Sequence, residues 1–261
     1  MSNRLVKLDS WVSYLSWPPL ACPECGEGTV SLDKNSLMTI RDPASDELVM
    51  LIDAGLEGLG ELTGTCSGKL TCNNPQCGRT LLVSGDWSHD VNVDDHNGRE
   101  TWIDYIRVRY ISPPLPIFTP HASTPAKVTS AIHAAAELLW INPSAAANQL
   151  RQAIEELLTV KGIKRTYING SHKRKTYPAH ARIEMFGSAN PANAEVAETL
   201  MAVKWIGNSG SHGSDLTVAE VLEGAELLQH ALTELYDPTN SLRRARIKEI
   251  NRKKRIPRSK N

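Results

Sequence analysis

The stretch Ala202-Val-Lys-Trp-Ile-Gly-Asn-Ser-Gly-Ser-His212 places a carboxamide, Asn208, and an imidazole, His212, four residues apart at the end of an apolar helical run. Gly207 and Gly210 interrupt that run, and Asp215 to Tyr236 opens another helix. An imidazole can take or give a proton near neutrality, and a neighbouring carboxamide can orient it or an anion. Lys204 in the same run and Arg151 on an earlier helix offer fixed positive charge for a phosphate. The plainer roles are also open: Asn208 and His212 as residues that cap and turn the chain, Arg151 as the partner of Glu155 one turn away.

A second constellation lies in the first third. Cys22-Pro-Glu-Cys25-Gly26 and Cys72-Asn-Asn-Pro-Gln-Cys77-Gly78 both end in Pro-x-Cys-Gly. Two such knuckles converge four thiolates on one ion, and a glycine after the second cysteine permits the positive φ of the turn. The expected product is a closed tetrahedral site for a structural Zn2+, with Cys22, Cys25, Cys72 and Cys77 as ligands. The second knuckle has four intervening residues where two are usual, and 46 residues separate the knuckles. We read the excess as an inserted hairpin, with strands at Leu37–Ile40 and Leu48–Ile52 and a turn at Asp42-Pro43. Cys66 is left as a free thiol, or as a substitute for Cys72. His89 and His96, in an Asp-rich segment with Asp86, Asp90, Asp94 and Asp95, read as a solvated loop or a second metal site.

The elements that position these groups follow from period and punctuation. Leu5 to Trp17 reads as a helix stopped by Pro18-Pro19. Trp102 to Ile111 alternates as a strand, and 112–120 is a proline-rich connector. Thereafter helices dominate. Ser123-Thr124-Pro125 starts one that runs to about Trp140; Asn142-Pro143 starts a second, with Leu150, Ile154, Leu157 and Leu158 as its buried stripe. A short helix covers Ala181 to Phe186, another follows Pro191, and Thr217-Val-Ala-Glu220 is a capping box before the last major helix.

The chain has 261 residues and no formal net charge, but the charge is unevenly placed. Residues 1–120 carry −7, 121–240 carry −2 and 241–261 carry +9. Lys161 to Arg182 holds seven Lys/Arg and no acid, with Lys173, Arg174 and Lys175 at its tip. These residues, and Arg243, Arg244, Lys253, Lys254 and Arg255 in the tail, are candidate phosphate contacts; solvated charge is the plainer reading. The tail is expected to hold a helical turn or two. The sequence has no membrane span and no signal peptide, so a cytoplasmic protein is expected. It also lacks a phosphate-binding glycine loop and a two-metal carboxylate cluster, which disfavours ATPase and metal-dependent nuclease chemistry.

Trp140-Ile-Asn-Pro-Ser-Ala-Ala-Ala, then Leu150-Arg151 and Glu155, then Ile206-Gly207-Asn208 and His212, resemble the bacterial domain-of-unknown-function family 4145 over roughly residues 115–237. That family is similar to the HEPN superfamily. The resemblance implies a helical bundle, often a homodimer, found in phage-defence, restriction and toxin contexts, and in many cases a metal-independent endoribonuclease. In that reading His212 is the acid/base, Asn208 the orienting residue, and Lys204 or Arg151 the phosphate stabiliser. Gly207 stands where an active nuclease often has Arg. The expected architecture is α+β: a small four-cysteine zinc-ribbon-like β domain with an N-terminal helix (1–114), an all-α HEPN-like bundle of four or five helices (115–237) and a basic tail (238–261). The expected function is RNA binding or cleavage; the alternative is a non-catalytic dimerisation or interaction module whose ribbon contacts nucleic acid or a protein partner.

Overall fold

The computed structural model describes residues 2–56, 60–93, 100–209 and 216–254. The first half is a six-stranded antiparallel sheet that curls into a half-barrel, not a small ribbon. After α1 (Ser2–Val6) come β1 (Val12–Ser13), β2 (Leu20–Ala21), β3 (Thr29–Arg41), α2 (Pro43–Asp53), β4 (Leu62–Cys72), β5 (Thr80–Val93) and β6 (Glu100–Ser112). The spatial order is β1-β6-β5-β4-β3-β2. Successive side chains alternate between faces, so one face collects Leu70, Leu81, Val83, Trp87, Ile106 and Val108, all buried, while Lys69, Thr71 and Leu82 stay exposed. The interval between the cysteine knuckles is what overturns the ribbon expectation. It supplies strands of 13 and 11 residues, β3 and β4, long enough to join a sheet with its own core, whereas a ribbon has short hairpins and leans on its metal.

Two local expectations fail with it. Leu37–Ile40 is strand, but it belongs to β3, which runs on to Arg41, and Leu48–Ile52 lies in helix α2. Asp42-Pro43 is a helix start, not a turn: Asp42 Oδ1 accepts from the Ser45 amide at 3.2 Å and Pro43 takes the first helical position. The continuous apolar run 48–52 has no period that separates strand from helix, so the cap decides. The Thr63 hydroxyl donates to Asp42 Oδ2 at 2.7 Å, which docks α2 on β4 and holds the Asp42 carboxyl below its ordinary range. The predicted helix 5–17 is also broken. Lys7–Asp9 and Tyr14–Ser16 are single 3-10 turns, and Val12 and Ser13 pair with Ile106 and Tyr105 on the edge of the sheet. That edge offers hydrogen bonds which the short amphipathic helix would forgo.

In the second half, α3 (Ala126–Leu138), α4 (Pro143–Val160), α5 (Ala179–Ala189), α6 (Ala194–Ser209) and α7 (Val218–Tyr236) form the helical layer, with the hairpin β7 (Thr166–Ile168) and β8 (Arg174–Thr176) between α4 and α5; the largely exposed α8 (Pro238–Lys253) follows. Leu150, Ile154, Leu157 and Leu158 of α4 are fully buried, as their spacing predicts. Asn142 caps α4, and Thr217 and Glu220 form the capping box of α7. Helix α3 starts after Pro125, as the sequence predicts, but without a side-chain cap, and Thr124 is buried. The basic tail is more ordered than expected. Asp237 accepts from the Thr239 amide at 2.8 Å, Pro238 opens α8, and Glu249 pairs with both Arg246 and Lys253, so the helix continues for 16 residues.

The proline-rich connector is held between the two halves. Leu115, Ile117 and Phe118 are buried, the Ser112–Pro113 bond is cis, and the core of sheet and helices is continuous. Among the described residues no helix is long and apolar enough to cross a membrane.

Candidate metal centre and cationic site

Topology brings the two knuckles together. The first lies between β2 and β3, the second between β4 and β5, at one end of the sheet where β3 and β4 are paired as Val30↔Cys72. Asn73 fastens them: its Oδ1 accepts from the Thr29 amide at 2.8 Å and its amide donates to the Thr29 carbonyl at 2.9 Å. Cys22 Sγ lies 3.8 Å from Cys77 Sγ, Cys25 Sγ lies 3.8 Å from Cys72 Sγ, and all four sulfurs fall within 4.8 Å of one another. A tetrahedral ion with metal–sulfur bonds of about 2.3 Å has sulfur–sulfur edges of about 3.8 Å, so the four thiols could hold one metal ion.

The turns support that chemistry. Gly26 and Gly78 have φ of +67° and +57°. The Gly28 amide donates to Cys25 Sγ at 3.3 Å and the Asn74 amide to Cys72 Sγ at 3.4 Å. The two extra residues of the second knuckle are absorbed by a turn in which Asn74 Oδ1 accepts from the Gln76 amide at 3.0 Å. A side chain at Gly28 would place its Cβ 2.5 Å from Cys72 Sγ, so glycine is required there. The Gly28 amide is the chief cause that draws the Cys25 pKa down to about 6. The Asn74 amide pulls Cys72 the same way, but burial and the three neighbouring sulfurs outweigh it and raise this thiol to about 12. Cys25 ionises readily whereas Cys72 and Cys77 resist; a cation at the centre removes that resistance. Cys66 takes no part in the cluster. It is buried on the inner face of β4, its Sγ 3.8 Å from the Asp86 carbonyl, and burial pushes its pKa up to about 11.

The second constellation sits where α4 crosses α6. Lys204 is only 5% exposed, with its Nζ 3.2 Å from the centre of the Trp205 ring. Burial, and then the charge of Arg151, hold its ammonium below the ordinary lysine range. Arg151 Nε is buried without a hydrogen-bond partner, and the Arg151–Glu155 pair is not formed. No carboxylate pairs with either cation among the described residues. Asn208 is half-buried one turn beyond Lys204. His212 lies outside the described residues.

Gly207, just before Asn208, sits at a close approach of α6 to α4. Its missing Cβ would meet the Ala147 carbonyl and Arg151 Cβ, each at 3.0 Å, so the two helices touch backbone to backbone there. Gly207→Arg is expected to destabilise the chain by about 1–3 kcal/mol through overpacking. A urea melt of the variant tests this, and an unchanged midpoint would refute the close crossing.

The remaining basic candidates are dispersed. Lys173, Arg174 and Lys175 stand exposed on the β7–β8 hairpin; Arg243, Lys253 and Lys254 are exposed on or at the end of α8, with Lys253 paired to Glu249 at 2.7 Å. The backbone of Arg244 belongs to α8, and Arg255 lies outside the described residues, as do Asp94, Asp95 and His96. His89 is not in a loop. It sits in β5, stacked 4.9 Å from Trp102 and 5.9 Å from Trp87, and its Nδ1 is 2.9 Å from Asp104 Oδ1, which also accepts from Trp87 Nε1 at 2.9 Å. The spacing Trp87-x-His89 and Trp102-x-Asp104 on two strands was the available signal, since residues two apart share a face.

The order of helices from α3 to α8 is the part of the chain that comparison identifies. Residues 133–258 match the family described as Domain of unknown function (DUF4145). The matched segment begins within α3 and takes in all of α8; it also contains Arg151, Lys204, Gly207 and Asn208. No curated protein and no solved structure matches the chain.

Proposed function

We propose that the protein binds single-stranded RNA through its DUF4145 segment, in the manner of a HEPN-like bundle that holds phosphate without cutting it, and that a structural Zn2+ sits in the cysteine cluster. The observation that carries the RNA reading is the pair Lys204 and Arg151: two adjoining cations, one almost wholly buried, with no carboxylate partner among the described residues. Like charges drawn together at a helix crossing raise the free energy of the unliganded protein, and an anion between them relieves it. Phosphate satisfies both a guanidinium fork and an ammonium. Gly207 favours binding over cleavage, because the site where a nuclease of this kind carries its arginine is closed by the helix crossing. Zinc suits four thiolates with tetrahedral edges and no open position.

Fluorescence anisotropy with a labelled single-stranded RNA tests the reading. Arg151→Ala with Lys204→Ala is expected to weaken binding at least tenfold, about 1.4 kcal/mol or more, and to flatten the salt dependence by about 1.4 in slope for two single-strand phosphate contacts. Affinity equal to the wild type would refute it. Cleavage that persists in chelator and is lost in His212→Ala would favour the catalytic alternative.

A further inference from the structure

The hairpin β7–β8 lies outside that cation pair, and its construction is unusual for a solvated loop. All six strand residues are exposed, so neither face packs on the body of the protein. A two-stranded ribbon this short is marginal in water, yet this one is fixed at several points. Asn169 Oδ1 accepts from the Ser171 amide at 3.1 Å and the Lys173 amide at 2.8 Å, the Asn169 amide donates to the Lys173 carbonyl, and the Tyr177 amide donates to the Arg165 carbonyl. His172 takes the left-handed conformation, φ +57°, which closes the turn. The Tyr167 and Tyr177 rings meet at 4.5 Å on one face. Of the hairpin's cations only Arg165 is ion-paired, with Glu156 at 3.6 Å; Lys173, Arg174 and Lys175 have no acidic partner among the described residues.

The register divides the two faces. Tyr167↔Lys175 lies on one; Thr166↔Thr176 and Ile168↔Arg174 lie on the other. The second face therefore shows two hydroxyls, an apolar side chain that is 69% exposed and a guanidinium. These are groups that read base edges: arginine binds guanine bidentately, Thr takes either donor or acceptor, and an apolar side chain meets the thymine methyl. From Arg165 to Asn169 the ribbon projects about 13 Å at about 3.3 Å per residue. The major groove of B-form DNA is about 12 Å wide and about 8.5 Å deep and admits a two-stranded β-ribbon. The major groove of an RNA duplex is too narrow to be read by side chains.

We infer that the β7–β8 hairpin is a docking ribbon for duplex DNA, inserted in the major groove with Ile168 and Arg174 toward the bases and Lys173 and Lys175 on the phosphates. The inference rests on the nucleic-acid reading of the helical half only in sharing its polymer class; it uses different residues and a different strand form.

The test is anisotropy of the full chain against a mixed-sequence DNA duplex of about 20 base pairs, enough for two helical turns, the matching RNA duplex and a single-stranded RNA. The wild type is expected to bind the DNA duplex in the micromolar range and more tightly than the RNA duplex. Lys173→Ala with Arg174→Ala and Lys175→Ala should lose at least about tenfold in DNA affinity, lower the salt slope by about 2, from the two phosphate contacts, and leave single-stranded RNA binding unchanged. Asn169→Ala keeps every charge but unties the turn; it should weaken DNA binding about threefold or more with the slope intact. Equal DNA affinity in the triple variant, or equal binding of the two duplexes, would overturn the proposal. Hairpin-dependent DNA binding without RNA binding would leave it standing and remove the RNA reading; RNA binding with no DNA binding would do the reverse.

Discussion

Cys72→Ser is expected to empty the metal centre and lower the melting temperature of the chain by about 10 °C or more, as is prolonged treatment of the wild type with a strong chelator. A structural four-thiolate zinc site contributes on the order of 10 kcal/mol to the folding of small domains. Here the neighbouring sheet has its own buried face, so the loss falls short of complete unfolding. At about 2–4 °C per kcal/mol for a chain of this size, even a few kcal/mol gives the predicted shift. The damage should concentrate where the knuckles hold β2, β3 and β4 together, around Asn73 and Thr29. Gly28→Ala should act the same way, because its Cβ would displace the Cys72 sulfur. Elemental analysis before and after chelation, combined with thermal melts, provides the check; Cys66→Ala serves as the control, since that thiol lies outside the cluster. Cys72→Ser with one metal ion per chain and an unchanged melt would refute the site.

Arg182→Met should cost about 3 kcal/mol, or about 6–12 °C in melting temperature. Arg182 is 2% exposed, yet no carboxylate pairs with it among the described residues. Its guanidinium instead donates to the carbonyls of Glu155 and Ile163, both at 3.2 Å, and to Thr159 Oγ1 at 2.9 Å. It thus ties α5 to the C-terminal end of α4, where the helix dipole favours a cation. Met fills much of the volume but makes none of these three bonds; the Glu155 carbonyl keeps its bond from the Thr159 hydroxyl at 2.8 Å. Arg182→Lys should be intermediate, since an ammonium cannot fork across three acceptors. Urea melts of both variants measure the effect, and Arg182→Met within about 0.5 kcal/mol of the wild type, the range of an inert surface change, would refute this account.

Legibility tracks how local the cause is. Asn142-Pro143 and the Thr217–Glu220 capping box act within four residues, and both sit where the sequence places them. The Pro-x-Cys-Gly knuckles are also local, so the pairing of thiols at the right distance can be read from the chain. Asp42-Pro43 misleads because the same two residues start a helix or make a turn, and only docking on Thr63 selects between them. Arg182 gives no signal, since its acceptors are mostly main-chain carbonyls, which every sequence possesses. Spacing puts Trp87 with His89 and Trp102 with Asp104 on strand faces, but only the antiparallel register of β5 and β6 sets His89 opposite Asp104.

The sequence by itself determined a cysteine-clasped first half, a helical second half, the ends of its best-capped helices and a cationic run between α4 and α5. Tertiary structure alone decided that the interval between the knuckles becomes long strands of a curled sheet, that Gly207 is a contact between two helix backbones, and that Lys204 is buried beside Arg151. The physical reason is range. Caps, prolines and paired cysteines impose geometry on their immediate neighbours, whereas strand partnership, helix crossing and the burial of a charge depend on what distant segments bring to the same place.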